Sequence, residues 1–318
     1  MKRTDIVRLD CIVIGAGPGG LTAAIYLARY LRDVLVLDDG RSRALWIPRS
    51  HNCPGYPEGI PGADLLDRLR RQAERYGVPL RQERVESLQR TDGGRYTLIC
   101  GTESVDAKCV LLATGAEDVP VPLSDLDGAI RRGIVRHCPT CDAYEVRDRR
   151  VAIVGAGECR LQEATLLRSY TSDLTVLSLR RPLETSAEER AELLSIGVEL
   201  VDERVAELVA ESEGISVRLA PSGRVLRFDT IYTALGLRGR SELAVRLGAE
   251  QDEDGMLIVD DHQRTSVPGL YAVGDVVKGL TQIGVAMGQA AVAASTINSS
   301  LERRLRPSRT ATDADGRG

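Results

Sequence analysis

One segment of the chain occurs twice, and no other feature restricts the possible folds so tightly. Residues 11–24 read CIVIGAGPGGLTAA and residues 151–164 read VAIVGAGECRLQEA, placing Gly15 over Gly155 and Gly17 over Gly157, an offset of 140. At the same offset, Asp33-Val-Leu-Val-Leu-Asp38 lies over Asp173-Leu-Thr-Val-Leu-Ser178. Each copy runs apolar strand, glycine turn, helix, apolar strand. That order is the opening βαβ unit of a Rossmann-type dinucleotide-binding fold. A single G-x-G-x-x-G is a weak signal; two of them, each with the following strand in register, are a strong one. The expected class is α/β, with two Rossmann-like three-layer domains.

The first copy has the parts that holding a pyrophosphate requires. Gly15 permits the tight turn, Gly17 lets backbone approach the phosphates, and Gly20 allows helix and strand to pack closely. Pro18 suits a first helical turn, where its missing N–H is not needed. The helix start then offers free N–H groups and the positive end of its dipole to an anion. Asp38 closes the second strand and is placed to accept from a ribose, with Asp39 as the alternative. Further along, Val110-Leu-Leu-Ala-Thr-Gly115 and Leu270-Tyr-Ala-Val-Gly274-Asp275 are apolar strands that end in glycine turns. Asp275 reads either as a partner for a ribityl hydroxyl or as a plain cap, ahead of a helix expected near 284–298. Backbone N–H groups around Gln282 and Ile283 are placed to hold a flavin pyrimidine edge.

The second copy lies between these flavin-type segments. Pro120-Val-Pro122 reads as a linker going in and Gly236-Leu-Arg-Gly239 as a turn coming out. The expected organisation is a split FAD-binding domain, 1–119 and 246–305, with a nucleotide-type domain, 120–245, inserted into it. Residues 306–318 have almost no apolar content and read as a disordered tail.

Seven cysteines are scattered at 11, 53, 100, 109, 138, 141 and 159. An odd, dispersed set in a chain of 318 residues is not the framework of a small secreted disulfide scaffold. Cys11, Cys100 and Cys109 sit in apolar runs and read as small buried hydrophobes. Cys138 and Cys141 differ, because they form a C-x-x-C that can close a redox-active disulfide. Structural zinc needs four ligands, and the chain offers three histidines and no second C-x-x-C, so no metal is expected. A net charge of −4 argues against nucleic acid or an anionic membrane as the main partner. No opening signal segment or long apolar run is legible, so a cytoplasmic location is expected.

In order and spacing, Gly15-Ala-Gly-Pro-Gly-Gly20, Asn52-Cys-Pro-Gly55, Ala113-Thr-Gly115, Cys138-Pro-Thr-Cys141-Asp142 and Gly274-Asp275-Val276 resemble the low-molecular-weight thioredoxin reductases. The likeness covers nearly the whole chain. It implies FAD and NADPH domains, a homodimer, a rotation of one domain against the other, and a thioredoxin-like partner. Carried over, Cys141 would face the flavin and accept its electrons, and Cys138 would attack the partner's disulfide. Asp142 would manage a proton; its alternative reading is a helix cap. Asn52 and Gln282 would add flavin contacts.

The chain departs from that family at the second nucleotide site. Gly155 and Gly157 are kept, but Glu158, Cys159 and Arg160 follow them. Glu158 opposes an anion, Cys159 is a weak hydrogen-bonding substitute for a hydroxyl, and Arg160 is bulky where the family has a small residue. Ser178 replaces the acid, and Arg180 and Arg181 stand where the family grips a 2′-phosphate, which favours NADPH over NADH. Cys53 replaces an aromatic residue, reading as a packing thiol or a third redox cysteine, and Thr281 replaces an arginine. The main expectation is a flavin-dependent disulfide reductase. The alternatives are the same flavin and dithiol fed by ferredoxin or another donor, an oxygen-using dithiol oxidase, or a non-enzymatic flavin redox sensor.

Overall fold

The computed structural model describes residues 8–156, 161–179 and 183–305. The first domain opens with β1 (Arg8–Ile14), α1 (Pro18–Arg29), β2 (Val34–Asp38), α2 (Gly62–Arg75) and β3 (Leu80–Gln82), then runs through β4 (Ser87–Arg90), β5 (Tyr96–Cys100) and β6 (Glu103–Leu112). A short strand, β7 (Ala116–Asp118), leads to α3 (Leu126–Arg131), β8 (Val135–Arg136) and the single turn α4 (Pro139–Asp142). The second repeat follows as β9 (Val151–Gly155), α5 (Leu161–Arg168), β10 (Leu174–Ser178), α6 (Ala187–Ser195) and β11 (Glu199–Glu211). Then come β12 (Gly214–Ala220), β13 (Val225–Phe228), β14 (Thr230–Ala234), β15 (Leu237–Gly239), α7 (Glu242–Val245), β16 (Leu270–Ala272) and α8 (Ile283–Ser300).

Two seven-stranded sheets result. In the first, β3, β2, β1 and β6 run parallel, β16 lies parallel beside residues 110–112 of β6, and β5 and β4 hang antiparallel from residues 103–107. In the second, β11, β10, β9, β14 and β8 are parallel, with β12 and β13 antiparallel beyond β11. Strand β10 spans the positions of β2 shifted by the repeat offset, and it pairs with β9 as β2 pairs with β1. The sequence duplication is thus a duplication of structure.

The central strands are apolar throughout because both faces of a parallel sheet are covered. Their alternation splits each core in two. Cys11, Val13, Val34, Val36, Cys109 and Leu111 pack towards α1, α2 and α8. Ile12, Ile14, Leu35, Leu37, Val110 and Leu112 pack on the other face, against β4, β5 and Ala244. Helix α1 is buried along most of its length, from Gly19 to Ile25 and at Leu27, because the sheet and the neighbouring helices cover it on several sides. Two glycines make this approach possible. Gly15 has φ +104°, and a Cβ there would lie 2.3 Å from the Ala113 carbonyl oxygen. A Cβ on Gly20 would lie 1.9 Å from the Gly15 carbonyl oxygen.

The two connections between domains are paired with each other. β7 leaves the first domain and β15 returns to it, and they form a two-stranded antiparallel ribbon, Ala116 opposite Gly239 and Asp118 opposite Leu237. The returning segment, read from its glycines as a turn, is therefore strand-paired: its N–H and C=O groups find partners on the outgoing connection. The expected C-terminal helix is present as α8. Among the described residues no helix is long and apolar enough to cross a membrane. The tail 306–318 lies outside the described residues.

Candidate active site

A cleft of about 890 Å³ opens beyond the carboxyl ends of β1, β2 and β6 and runs to the Cys138–Cys141 disulfide. Parallel α/β sheets place ligands at this end of their strands. Of the residues expected to contact the flavin, all but Gly20 line this cleft; Gly20 is buried, where its part is to let α1 approach the glycine loop. The start of α1 has Gly17 as its N-cap, no capping side chain and no acid in its first turn. No side chain caps its free N–H groups, so they are open to a pyrophosphate in the cleft. The volume is at the upper end of the roughly 300–1,000 Å³ common for small-molecule sites. On these observations the residues present fit a dinucleotide.

The two acids after β2 have different surroundings. Asp38 Oδ1 accepts the N–H of Ala16 at 2.9 Å, which ties β2 to the glycine loop, and Oδ2 is 3.5 Å from Arg70. Asp39 pairs with Arg41 at 2.6 Å. Asp275 caps no helix. It lies in a 3-10 turn, Gly274–Val276, and Arg43 Nη1 approaches its carboxylate at 3.3 Å. The same guanidinium donates two bonds to Asp118, at 2.6 and 2.8 Å. Burial lifts the Asp275 carboxyl above its ordinary range, and Arg43 only partly opposes this. Arg43 thereby joins the flavin-type domain to the outgoing connection, β7.

Cys138 is the N-cap of α4, Cys141 lies within it, and the two are joined as a disulfide. Pro139 begins the turn, and the N–H of Cys141 returns to the Cys138 carbonyl at 2.9 Å. The two sulfurs have unlike neighbours. Cys138 Sγ lies 3.3 Å from the Thr140 hydroxyl, whereas Cys141 Sγ receives the Gln282 amide at 3.5 Å from across the domain boundary. Asp142 caps no backbone group. One of its oxygens accepts from Arg136, and the other accepts the Tyr232 hydroxyl at 2.8 Å. Tyr232 is fully buried on β14, and burial together with the neighbouring carboxylate pushes its phenol far above the ordinary range, so it remains a donor.

His137 faces the same cleft. Its Nδ1 is 2.6 Å from the Thr233 hydroxyl, Trp46 lies against its ring at 6.3 Å, and its buried Nε2 has no hydrogen-bond partner among the described residues. Burial depresses its pKa below 6.5, and Asp118 only partly compensates. Below the unfolded-state pKa the unfolded chain then binds more protons than the folded one, so stability falls as pH drops through that window. Urea unfolding at about pH 7.5 and pH 5.5 should show a larger acid loss for the parent protein than for His137→Gln. Equal losses would remove His137 from the acid response.

Cys53 settles as a packing residue. It is buried with Ile60 and Leu65 in the helix-side core, and burial raises its thiol pKa, which disfavours the reactive thiolate. Cys11, Cys100 and Cys109 are likewise buried. At the second nucleotide site, Gly155 ends β9 and pairs with Ser178 of β10 and Ala234 of β14. Gly157, Glu158, Cys159, Arg160, Arg180 and Arg181 lie outside the described residues. Arg43, Asp118, Arg136, His137 and Tyr232 were not picked out in the sequence. Only Arg136 and His137, beside the C-x-x-C, had a positional signal.

A protein-family model described as pyridine nucleotide-disulphide oxidoreductase matches residues 9–290. The thioredoxin reductase of Mycolicibacterium smegmatis is 32% identical over 277 residues, covering 84% of this chain and 88% of that protein. That of Listeria innocua is 29% identical over 306 residues, 92% of this chain and 94% of the relative. Among solved structures, thioredoxin reductase from Streptococcus pyogenes superposes with a TM-score of 0.84 at 27% identity, covering 92% of this chain and 97% of that one.

Proposed function

The chain belongs to the pyridine nucleotide-disulphide oxidoreductase family and is an FAD-dependent oxidoreductase of the thioredoxin reductase type; from that premise we propose that it passes electrons through Cys138 and Cys141 to a thioredoxin-like protein. The observation that carries this reading is the shared cleft: the glycine loop of the first repeat and the disulfide line one continuous space. FAD held there would, once reduced, supply a two-electron donor. The start of α1 would hold the pyrophosphate, Asp38 or Asp39 the ribose, and Asp275 the ribityl chain. Cys141, with its sulfur turned to Gln282 of the flavin-type domain, is the thiol on the flavin side. Cys138 then gives up its proton, which Asp142 manages, and attacks the partner's disulfide; Arg136 and Tyr232 hold Asp142 in place.

NADPH is the first donor to test, since Arg180 and Arg181 supply the guanidiniums that a 2′-phosphate needs. Anaerobic mixing of the flavin-loaded protein with NADPH should bleach the visible flavin band rapidly. Reduction by dithionite but not by NADPH would overturn that donor. It would favour a ferredoxin-type carrier, a reading for which Glu158, Cys159 and Arg160 in the second glycine loop speak.

A further inference from the structure

A line of side-chain hydrogen bonds crosses from the flavin-type domain to the disulfide. Ser50 donates its hydroxyl to Asn52 Oδ1 at 2.9 Å. Asn52 donates through Nδ2 to Gln282 Oε1 at 2.8 Å. Gln282 then presents Nε2 to Cys141 Sγ and to the Thr140 hydroxyl, both at 3.5 Å. The polarity of the line is set at its sulfur end. A disulfide sulfur or thiolate accepts, so it meets the –NH₂ of Gln282; Gln282 Oε1 then accepts from Asn52 Nδ2, and Asn52 Oδ1 is left for the Ser50 hydroxyl.

A sulfur in a disulfide is a weak acceptor, and 3.5 Å is a correspondingly loose contact. A thiolate in the same place carries a full negative charge, and hydrogen bonds to ionised partners are roughly twice as strong as neutral ones. The contact therefore favours the reduced, ionised site over the oxidised one. Two electrons and one proton, from a reduced flavin or an added dithiol, break the Sγ–Sγ bond and leave one thiol and one thiolate. The Gln282 donor selects which sulfur keeps the charge. No such partner reaches Cys138 Sγ from the flavin-type domain among the described residues.

We propose that Gln282 is a catalytic residue that stabilises the Cys141 thiolate through its side-chain amide, and that Asn52 and Ser50 are positioning residues that fix the amide's direction. This rests on the assignment of Cys141 as the flavin-side thiol, and it gives the side chains of Asn52 and Gln282 work on the sulfur, apart from backbone contacts to the flavin. Asn52 sits in the loop between Ser50 and Ile60, which closes on itself by paired backbone bonds, Ser50 N to Ile60 O at 2.8 Å and Ile60 N to Ser50 O at 2.9 Å. Gln282 is the N-cap of α8. Both donors therefore stand on the scaffold of the first domain rather than moving with the disulfide.

The test uses flavin-loaded, full-length protein carrying Cys138→Ser, so that Cys141 is a free thiol. Its rate of alkylation by iodoacetamide is followed against pH, with the label mapped to Cys141 by mass spectrometry. Adding Gln282→Leu should move the midpoint up by about one pH unit, the order expected for loss of one charge-assisted hydrogen bond. Gln282→Glu keeps the size and the acceptor for Asn52 but sets a negative charge at the sulfur; its midpoint should rise further. Asn52→Leu, which leaves the amide free to turn over, should fall between the parent and Gln282→Leu. Unchanged or lowered midpoints in Gln282→Leu and Gln282→Glu would overturn the proposal. Alkylation needs no electron from the flavin. A protein with no thiolate–flavin absorption but the expected midpoint shifts would refute the flavin-side assignment alone.

Discussion

Cys141→Ser is expected to abolish disulfide reductase turnover, a fall of about a thousandfold or more, because it removes a bond-forming atom rather than a supporting contact. Cys138→Ser should be as inactive, but the two should differ in colour. With Cys138 replaced, the Cys141 thiolate remains on the flavin side, and a long-wavelength thiolate–flavin absorption band should appear. With Cys141 replaced, no such band is expected. The basis is the inequality of the two sulfurs: Cys141 meets a donor from the flavin-type domain, and Cys138 meets Thr140 of its own turn. Spectra and thioredoxin-coupled turnover of both variants decide it. A band in Cys141→Ser and none in Cys138→Ser would reverse the roles.

The largest effect on stability should come from a single methyl group. In Gly20→Ala the added carbon would sit 1.9 Å from the Gly15 carbonyl oxygen, which is main chain and has no rotamer to escape into. Helix α1 must move off the sheet, loosening its packing and the glycine loop together. The expected loss is about 3 kcal/mol, at the upper end of the usual overpacking range, with FAD retention falling alongside. Gly288→Ala is the matching control. It lies on the exposed side of α8 with nothing within 4 Å of the new carbon, so the substitution should be neutral or stabilise by up to about 1 kcal/mol. Urea midpoints and flavin content of the two variants make the comparison. Equal stability for both would mean that close approach at Gly20 is not what holds α1 in place.

The fold was legible because its main signals are local. An apolar strand, a glycine turn and a helix lie within some fifteen residues of each other, and their recurrence at one offset reports two copies of one unit. Burial on both sheet faces made Cys11-Ile-Val-Ile14 apolar without interruption, and that run was readable directly. The returning connection was misread for the opposite reason. Gly236 and Gly239 look like turn residues locally, but the partner that makes Leu237–Gly239 a strand is over a hundred positions earlier. Tyr232 gave no signal either: in a buried strand an aromatic residue is ordinary, and only the fold brings its hydroxyl to Asp142, ninety positions away.

Taken alone, the sequence determined that there are two nucleotide-type βαβ units, that a C-x-x-C lies between them, and that the first glycine loop is complete and the second altered. These are properties of residue type at short spacing, where backbone sterics and helix-end electrostatics act. The tertiary structure decided what surrounds the thiols: Gln282 at Cys141 Sγ, Arg136 and Tyr232 at Asp142, Arg43 between Asp118 and Asp275, and Cys53 sealed into the core. Each is a contact between segments far apart in the chain. A polar side chain's partner is set by which loops the sheets bring within about 3 Å of it, and spacing along the sequence carries no record of that distance.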